Sequence, residues 1–230
     1  MRGIDVTTVH RAAYPSFGDG PILIDLTPRE MRRRLTEALS VYVAAMGYPS
    51  GTELHRAPMW AEHILRPGWR AVGAVNAEDG PLVAIAYCYS GAPHQWWHQQ
   101  VRDGMRRAGW SHEDAAHVLT DYVELTELHV SPSVQGHRVG ERLLVALMAG
   151  RDEGSVLLST PEVAAEDNRA WRLYRRMGFQ DIVRRFHFAG DARPFAVLGS
   201  ELPLNDSSGH TSTLQTDTND QHTTEKRPTT

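Results

Sequence analysis

The sequence predicts an α/β fold, a mixed central sheet with helices packed against it, and three observations carry that reading. Short apolar runs alternate with longer stretches whose apolar residues fall three and four apart, the respective signatures of strand and helix. The stretch from Val123 to Met148 reads without interruption as strand, glycine-bearing loop and helix. Asp79-Gly80 between the apolar runs Trp69 to Asn76 and Pro81 to Ser90 marks a β-hairpin. The whole order (strand, helix, three central strands, helix, strand, helix, closing hairpin) is that of an α/β sandwich.

Taken in order, Ile4 to His10 is a β-branched run that reads as an edge strand before Pro15, Gly18 and Gly20 break it. Pro21 to Leu26 is a second strand. Thr27-Pro28-Arg29-Glu30 then forms a capping box with Pro at the first helical position, opening a helix that runs to Gly47. Met31, Leu35, Ala38, Tyr42 and Met46 give its inward face, with Arg32, Arg33 and Arg34 on a solvated side. Ala57 to Leu65 is a short helix in a segment placed to cover a substrate. Cys88, on the second hairpin strand, reads as a small buried hydrophobe.

Residues 91–122 hold two helical patterns between central strands. Trp97, Val101, Met105 and Ala108 share one face; Ser111 caps a second helix with Ala115, Val118, Leu119 and Tyr122 inward. This insertion is expected to serve acceptor binding or homodimer packing, or simply to cover one end of the sheet. His94, His98, His112 and His117 lack accompanying cysteines and proper ligand spacing, so no metal site is expected. Val156 to Thr160 is a buried strand stopped by Pro161. Ala170, Leu173, Tyr174 and Met177 face inward on the next helix, and Gly178 ends it. Asp181 to Ala189 and Pro194 to Leu202 close the domain as a hairpin. The expected organisation is an N-terminal segment 1–20, a domain 21–204, and a tail 205–230 too poor in apolar residues to fold.

The centre of the chain is the loop Gln135-Gly136-His137-Arg138-Val139-Gly140, which leads from a strand into Glu141 and an apolar helix. The first N–H groups of a helix lack internal partners and sit at the positive end of its dipole, so such a loop is suited to phosphate. The spacing is neither that of a P-loop nor that of a dinucleotide fingerprint.

These residues, preceded by Leu128-x-Val130-x-Pro132 and followed by Asn168 to Phe179, resemble the acetyl-CoA-binding core of the GNAT superfamily of N-acetyltransferases. The likeness covers residues 20–203. Arg138 stands where the family has its middle glycine, and Asp167 where it usually has asparagine, with Asn168 next. The resemblance implies a GNAT-like sheet whose strands 123–130 and 156–160 splay apart to admit pantetheine. It further implies acetyl-CoA contacts from the backbone of Leu128, His129 and Val130, from the loop Gln135, Gly136, His137, Arg138, Val139, Gly140 and Glu141, and from Asn168.

Composition narrows the context. A formal net charge of −4 argues against a nucleic-acid or membrane-surface partner. One cysteine permits no intrachain disulfide, and no apolar stretch is long enough to span a bilayer, so a cytoplasmic location is expected. Of 24 basic residues only Lys226 is lysine, a bias that fits a GC-rich bacterial genome.

Acetyl transfer from a thioester to an amine needs a base, a site for the oxyanion and a proton for the departing thiolate. By resemblance, Tyr174 stands at the position of the general acid, although its place on an apolar face also suits a core aromatic. Glu124, Glu127 and His129 compete for the base; strict alternation puts the two glutamates on opposite faces unless a bulge intervenes. The expected activity is acetyl-CoA-dependent N-acetyl transfer by direct attack in a ternary complex, the acceptor being an amine of a small molecule or protein. A longer acyl-CoA, or a non-catalytic acyl-CoA-binding module prompted by Arg138, are the alternatives.

Overall fold

In the computed structural model, which describes residues 20–204, the hydrophobic alternation of the sequence resolves into one seven-stranded sheet. Its strands are β1 (Ile22–Leu26), β2 (Arg70–Val75), β3 (Leu82–Ser90), β4 (Tyr122–Val130), β5 (Ser155–Pro161), β6 (Gln180–Phe186) and β7 (Phe195–Glu201), in the order β1-β2-β3-β4-β5-β7-β6. All neighbours are antiparallel except β4 and β5. The sheet is therefore mixed, as expected. The edge strand expected at Ile4 to His10 and the tail 205–230 lie outside the described residues.

The capping box forms: Glu30 N–H donates to Thr27 Oγ1 at 3.2 Å, and Thr27 N–H to Glu30 Oε2 at 2.9 Å. The single helix expected after it is two, α1 (Pro28–Arg33) and α2 (Leu35–Met46), broken at Arg34. Arg34 is no solvated residue: its guanidinium donates to the Gly80 carbonyl at 2.6 Å and to Glu37 at 2.8 Å, tying the helix to the β2–β3 turn. Met46, expected inward, is 38% exposed. The helix expected at 57–65 starts earlier, as α3 (Thr52–His63).

The insertion consists of α4 (Trp96–Arg107) and α5 (His112–Val118), with Ser111 Oγ capping Asp114 N–H at 3.0 Å. Tyr122, assigned to that helix from its spacing, instead opens β4, and Ala108 is exposed. Trp97, Val101 and Met105 pack with Leu157, Val183, Phe186 and Val197 on the sheet. Gly104 makes this approach possible, because a Cβ there would stand 2.4 Å from the Phe186 ring.

Two layers flank the sheet. On one face α1 to α3 cover β1 to β3, and α4 with α5 cover the far end. On the other, α6 (Val139–Met148) and α7 (Arg169–Arg176) bury Leu143, Leu147, Trp171 and Leu173 against alternate residues of β2 to β5, including Cys88. Burial pushes the Cys88 thiol up to about 12, in keeping with its packing role. Strands β4 and β5 pair only at Tyr122↔Ser155, Val123↔Val156 and Glu124↔Leu157, although they continue to Val130 and Pro161. Beyond that point they diverge, opening the expected V. Among the described residues, no helix is long and apolar enough to cross a membrane.

Candidate active site

Two cavities open from the V. The first, about 760 Å³, lies over the loop before α6 and is lined by Leu128, His129, Val130, Gln135, Gly136, Arg138, Val139, Gly140, Glu141 and Asn168, with Arg169 and Arg176 from α7. Thus every cofactor residue expected from the sequence lines it except His137, whose Nδ1 lies 3.4 Å from the Val134 carbonyl oxygen. Gly136 has φ +94°, a conformation costly for any residue with a Cβ. Arg138, where a glycine was expected, adopts φ +54° and so supplies the same left-handed turn. Its guanidinium pairs with Glu141 at 2.7 Å, as does that of Arg176 at 2.8 Å. Arg169, which the sequence reading did not single out, stands beside Gly136: its Nη1 would be 3.8 Å from a Cβ there. Asn168 caps α7, its Oδ1 accepting from Trp171 N–H at 2.9 Å, while the exposed Asp167 turns to Arg172 at 2.5 Å. The loop thus has the geometry of an anion site: helix N–H groups, a glycine-permitted turn and a rim of guanidinium groups.

The second cavity, about 620 Å³, runs from between α3 and the insertion through the V to Ala170 and Tyr174 of α7. It shares Met46, Leu128, His129 and Ala170 with the first, so the two meet across β4. A bulge decides what faces it. Tyr87 pairs with Glu127 but Cys88 with Leu125, so Thr126 is unmatched and both Glu124 and Glu127 turn to the same face. Their environments differ sharply.

Glu124 is 3% exposed; its Oε1 accepts from the Tyr89 hydroxyl at 2.9 Å, and Oε2 is buried with no partner among the described residues. Burial pushes this carboxyl up to about 7, opposed by the bonds from Tyr89 and Thr126 and by the charge of Arg66. Glu127 has both oxygens engaged, Oε1 by Trp60 Nε1 at 3.2 Å and Oε2 by His129 Nε2 at 2.5 Å. His129 itself packs against the rings of Trp60 and Tyr42, with centroids 6.4 and 4.9 Å away. Of the three groups, Glu124 alone combines an oxygen that has no partner among the described residues with a carboxyl raised to about 7, features that suit proton exchange near neutral pH.

Tyr174 lines the same cavity from α7. Burial, with the Glu127 charge adding, raises its phenol well above the ordinary value, so it is a neutral O–H at physiological pH. Among the described residues that hydroxyl has no hydrogen-bond partner, unlike a core tyrosine satisfied by a fixed neighbour. Tyr89, Arg66, Trp96 and Trp97 also face the cavity and were not foreseen as site residues. His63, pushed by burial down to about 4, is held neutral with Nδ1 2.9 Å from the Tyr87 hydroxyl oxygen.

Comparison with known proteins agrees with this geometry. The profile of the acetyltransferase (GNAT) domain matches residues 94–181. The chain is 54% identical over 202 residues to the GCN5-like protein acetyltransferase Rv2170 of Mycobacterium tuberculosis, covering 79% of this chain and 98% of that one. In fold it resembles the ribosomal-protein-S18-alanine N-acetyltransferase of Escherichia coli, with a TM-score of 0.51 and 14% identity over 83% of this chain and 99% of the other. An acetyltransferase of Thermus thermophilus gives a TM-score of 0.50 at 16% identity over 80% and 97%.

Proposed function

Because this chain belongs to the GNAT superfamily of acetyltransferases, we propose that it transfers the acetyl group of acetyl-CoA directly to an amine, with both substrates bound at once. The acceptor is an amine of a protein, in line with the relative named a protein acetyltransferase. The observation that supports the reading is the meeting of two cavities across β4, one floored by the glycine-bearing loop before α6 and the other holding a buried carboxylate with an oxygen unpartnered among the described residues.

Each step falls to a named group. Glu124 takes the proton of the incoming ammonium, directly or through a water, its pKa near 7 suiting it to exchange protons at neutral pH. Main-chain N–H groups of Leu128 to Val130, on the stretch of β4 that β5 leaves unpaired, hold the pantetheine arm and polarise the thioester carbonyl. The loop Gln135 to Glu141 holds the phosphates, with Arg138, Arg169 and Arg176 at its rim. Tyr174 gives its proton to the departing thiolate. Glu127 and His129 act together as a braced pair that shapes the junction of the cavities.

Thiol release from acetyl-CoA, followed with a panel of lysine peptides, peptide α-amines and small amines, tests the reading. Turnover on peptide amines is expected; binding of acetyl-CoA without turnover on any amine would contradict it and return the non-catalytic module.

A further inference from the structure

Three arginines face the second cavity, and two are already committed. Arg56 Nε donates to the Tyr42 hydroxyl at 3.0 Å, and Arg193 is clamped by Asp191 at 2.6 Å and the Tyr48 hydroxyl at 2.8 Å. Arg66 differs. It lies in the turn after α3, half-buried, with its guanidinium carbon 4.5 Å from the centroid of the Tyr89 ring. Among the described residues its side chain makes no ion pair and no hydrogen bond. A guanidinium sheltered on an aromatic face has lost part of its hydration while keeping its planar fork of donors, which matches a carboxylate.

Its place relative to the base is also defined. The same Tyr89 that stacks with Arg66 donates its hydroxyl to Glu124, so a single phenol side chain separates cation from base. Glu124 feels the Arg66 charge but makes no ion pair with it, being buried and bonded to the hydroxyl of that ring. An acceptor whose amine reaches Glu124 therefore passes a guanidinium that, among the described residues, is engaged by an aromatic face and by no ion pair.

Resting on the acyl-transfer reading above, we infer that Arg66 is a specificity-determining residue that pairs with a carboxylate carried by the acceptor close to the reacting amine. The carboxylate is that of an acidic residue beside an acceptor lysine in a polypeptide; a free amino acid presents the same group and is the other outcome that the test distinguishes.

The test uses matched acceptors: peptides with glutamate or its neutral isostere glutamine beside the lysine, and free lysine beside its carboxamide. The wild-type enzyme should favour the acidic member of at least one pair about tenfold in kcat/KM, mainly through KM, as one charge-assisted hydrogen bond gives. Preference within the peptide pair identifies the polypeptide source, and within the free pair the small-molecule source. Arg66→Gln should bring the ratio to about one and Arg66→Glu should invert it; Arg66→Lys, which keeps the charge without the fork, should retain part of it. A wild-type ratio near one in both pairs, or a ratio preserved in Arg66→Gln, overturns the inference. A purely electrostatic effect of Arg66 on Glu124 would move the pH profile for both members equally and leave the ratio intact. Should no amine be acetylated, the acyl-transfer reading fails, and calorimetric binding of the same pairs still reads out the carboxylate preference.

Discussion

The Tyr89 hydroxyl donates a 2.9 Å hydrogen bond to Oε1 of Glu124, leaving Oε2 of that buried carboxylate without a partner among the described residues. The bond orients the carboxylate and, by favouring its charged form, restrains a pKa that burial drives up to about 7. Activity should therefore rise with pH through an apparent pKa near 7 as Glu124 ionises. Tyr89→Phe removes the restraining bond and should move that limb to higher pH, while Glu124→Gln should lower kcat by about 10²–10⁴-fold. A pH–rate profile unchanged in Tyr89→Phe would separate Glu124 from the limb.

The same shift has a consequence for stability. The folded-state pKa lies above the ordinary carboxyl value of 4.5, so between the two the folded protein holds a proton that the unfolded chain releases. Stability should fall as pH rises from about 4.5 through 7, by up to about 3 kcal/mol from this one group. In Glu124→Gln that part of the pH dependence should vanish, as denaturant melts at pH 5 and pH 8 would show.

Tyr174→Phe keeps the ring that packs 5.5 Å from Phe179 and removes only a hydroxyl without a fixed partner. Acetyl-CoA affinity and melting temperature should hold, while kcat falls about 10²-fold. Loss of about 1 kcal/mol of stability with turnover intact would instead mark a structural hydroxyl.

Gly136→Val would force a β-branched residue to φ +94°, at a cost of about 1–2 kcal/mol or a rearranged loop. Acetyl-CoA affinity measured by calorimetry should drop while the fold persists; unchanged affinity would remove the loop from the cofactor site.

Gly104→Val tests how the insertion is held. A Cβ at Gly104 would lie 2.4 Å from the Phe186 ring, so overpacking should cost about 1–3 kcal/mol in denaturant titration. A neutral outcome would mean that α4 is loosely docked.

Much of this arrangement was legible in the chain because it rests on local chemistry. The Thr27 capping box, the Asp79-Gly80 turn and the amphipathic periods of α4 and α5 depend on neighbours a few residues away, and apart from Ala108 and Tyr122 they appear where the residues put them. The tie from the Arg34 guanidinium to the Gly80 carbonyl, 46 positions along, is one that no periodicity shows. The bulge at Thr126 is the decisive case: alternation separates Glu124 from Glu127, and only the pairing of β3 with β4 reunites them. Tyr89 and Arg66 escaped notice for the same reason. An alternating strand tyrosine and an arginine past a helix end are ordinary until the fold sets them around one carboxylate.

The central claim is that acetyl-CoA and an amine meet across β4 and react directly, and initial-rate kinetics test it most simply. With acetyl-CoA and acceptor varied together, double-reciprocal plots should give intersecting lines, and enzyme mixed with acetyl-CoA alone should stay unmodified by intact mass spectrometry. Parallel lines accompanied by an acetylated enzyme would show a covalent relay and contradict the account.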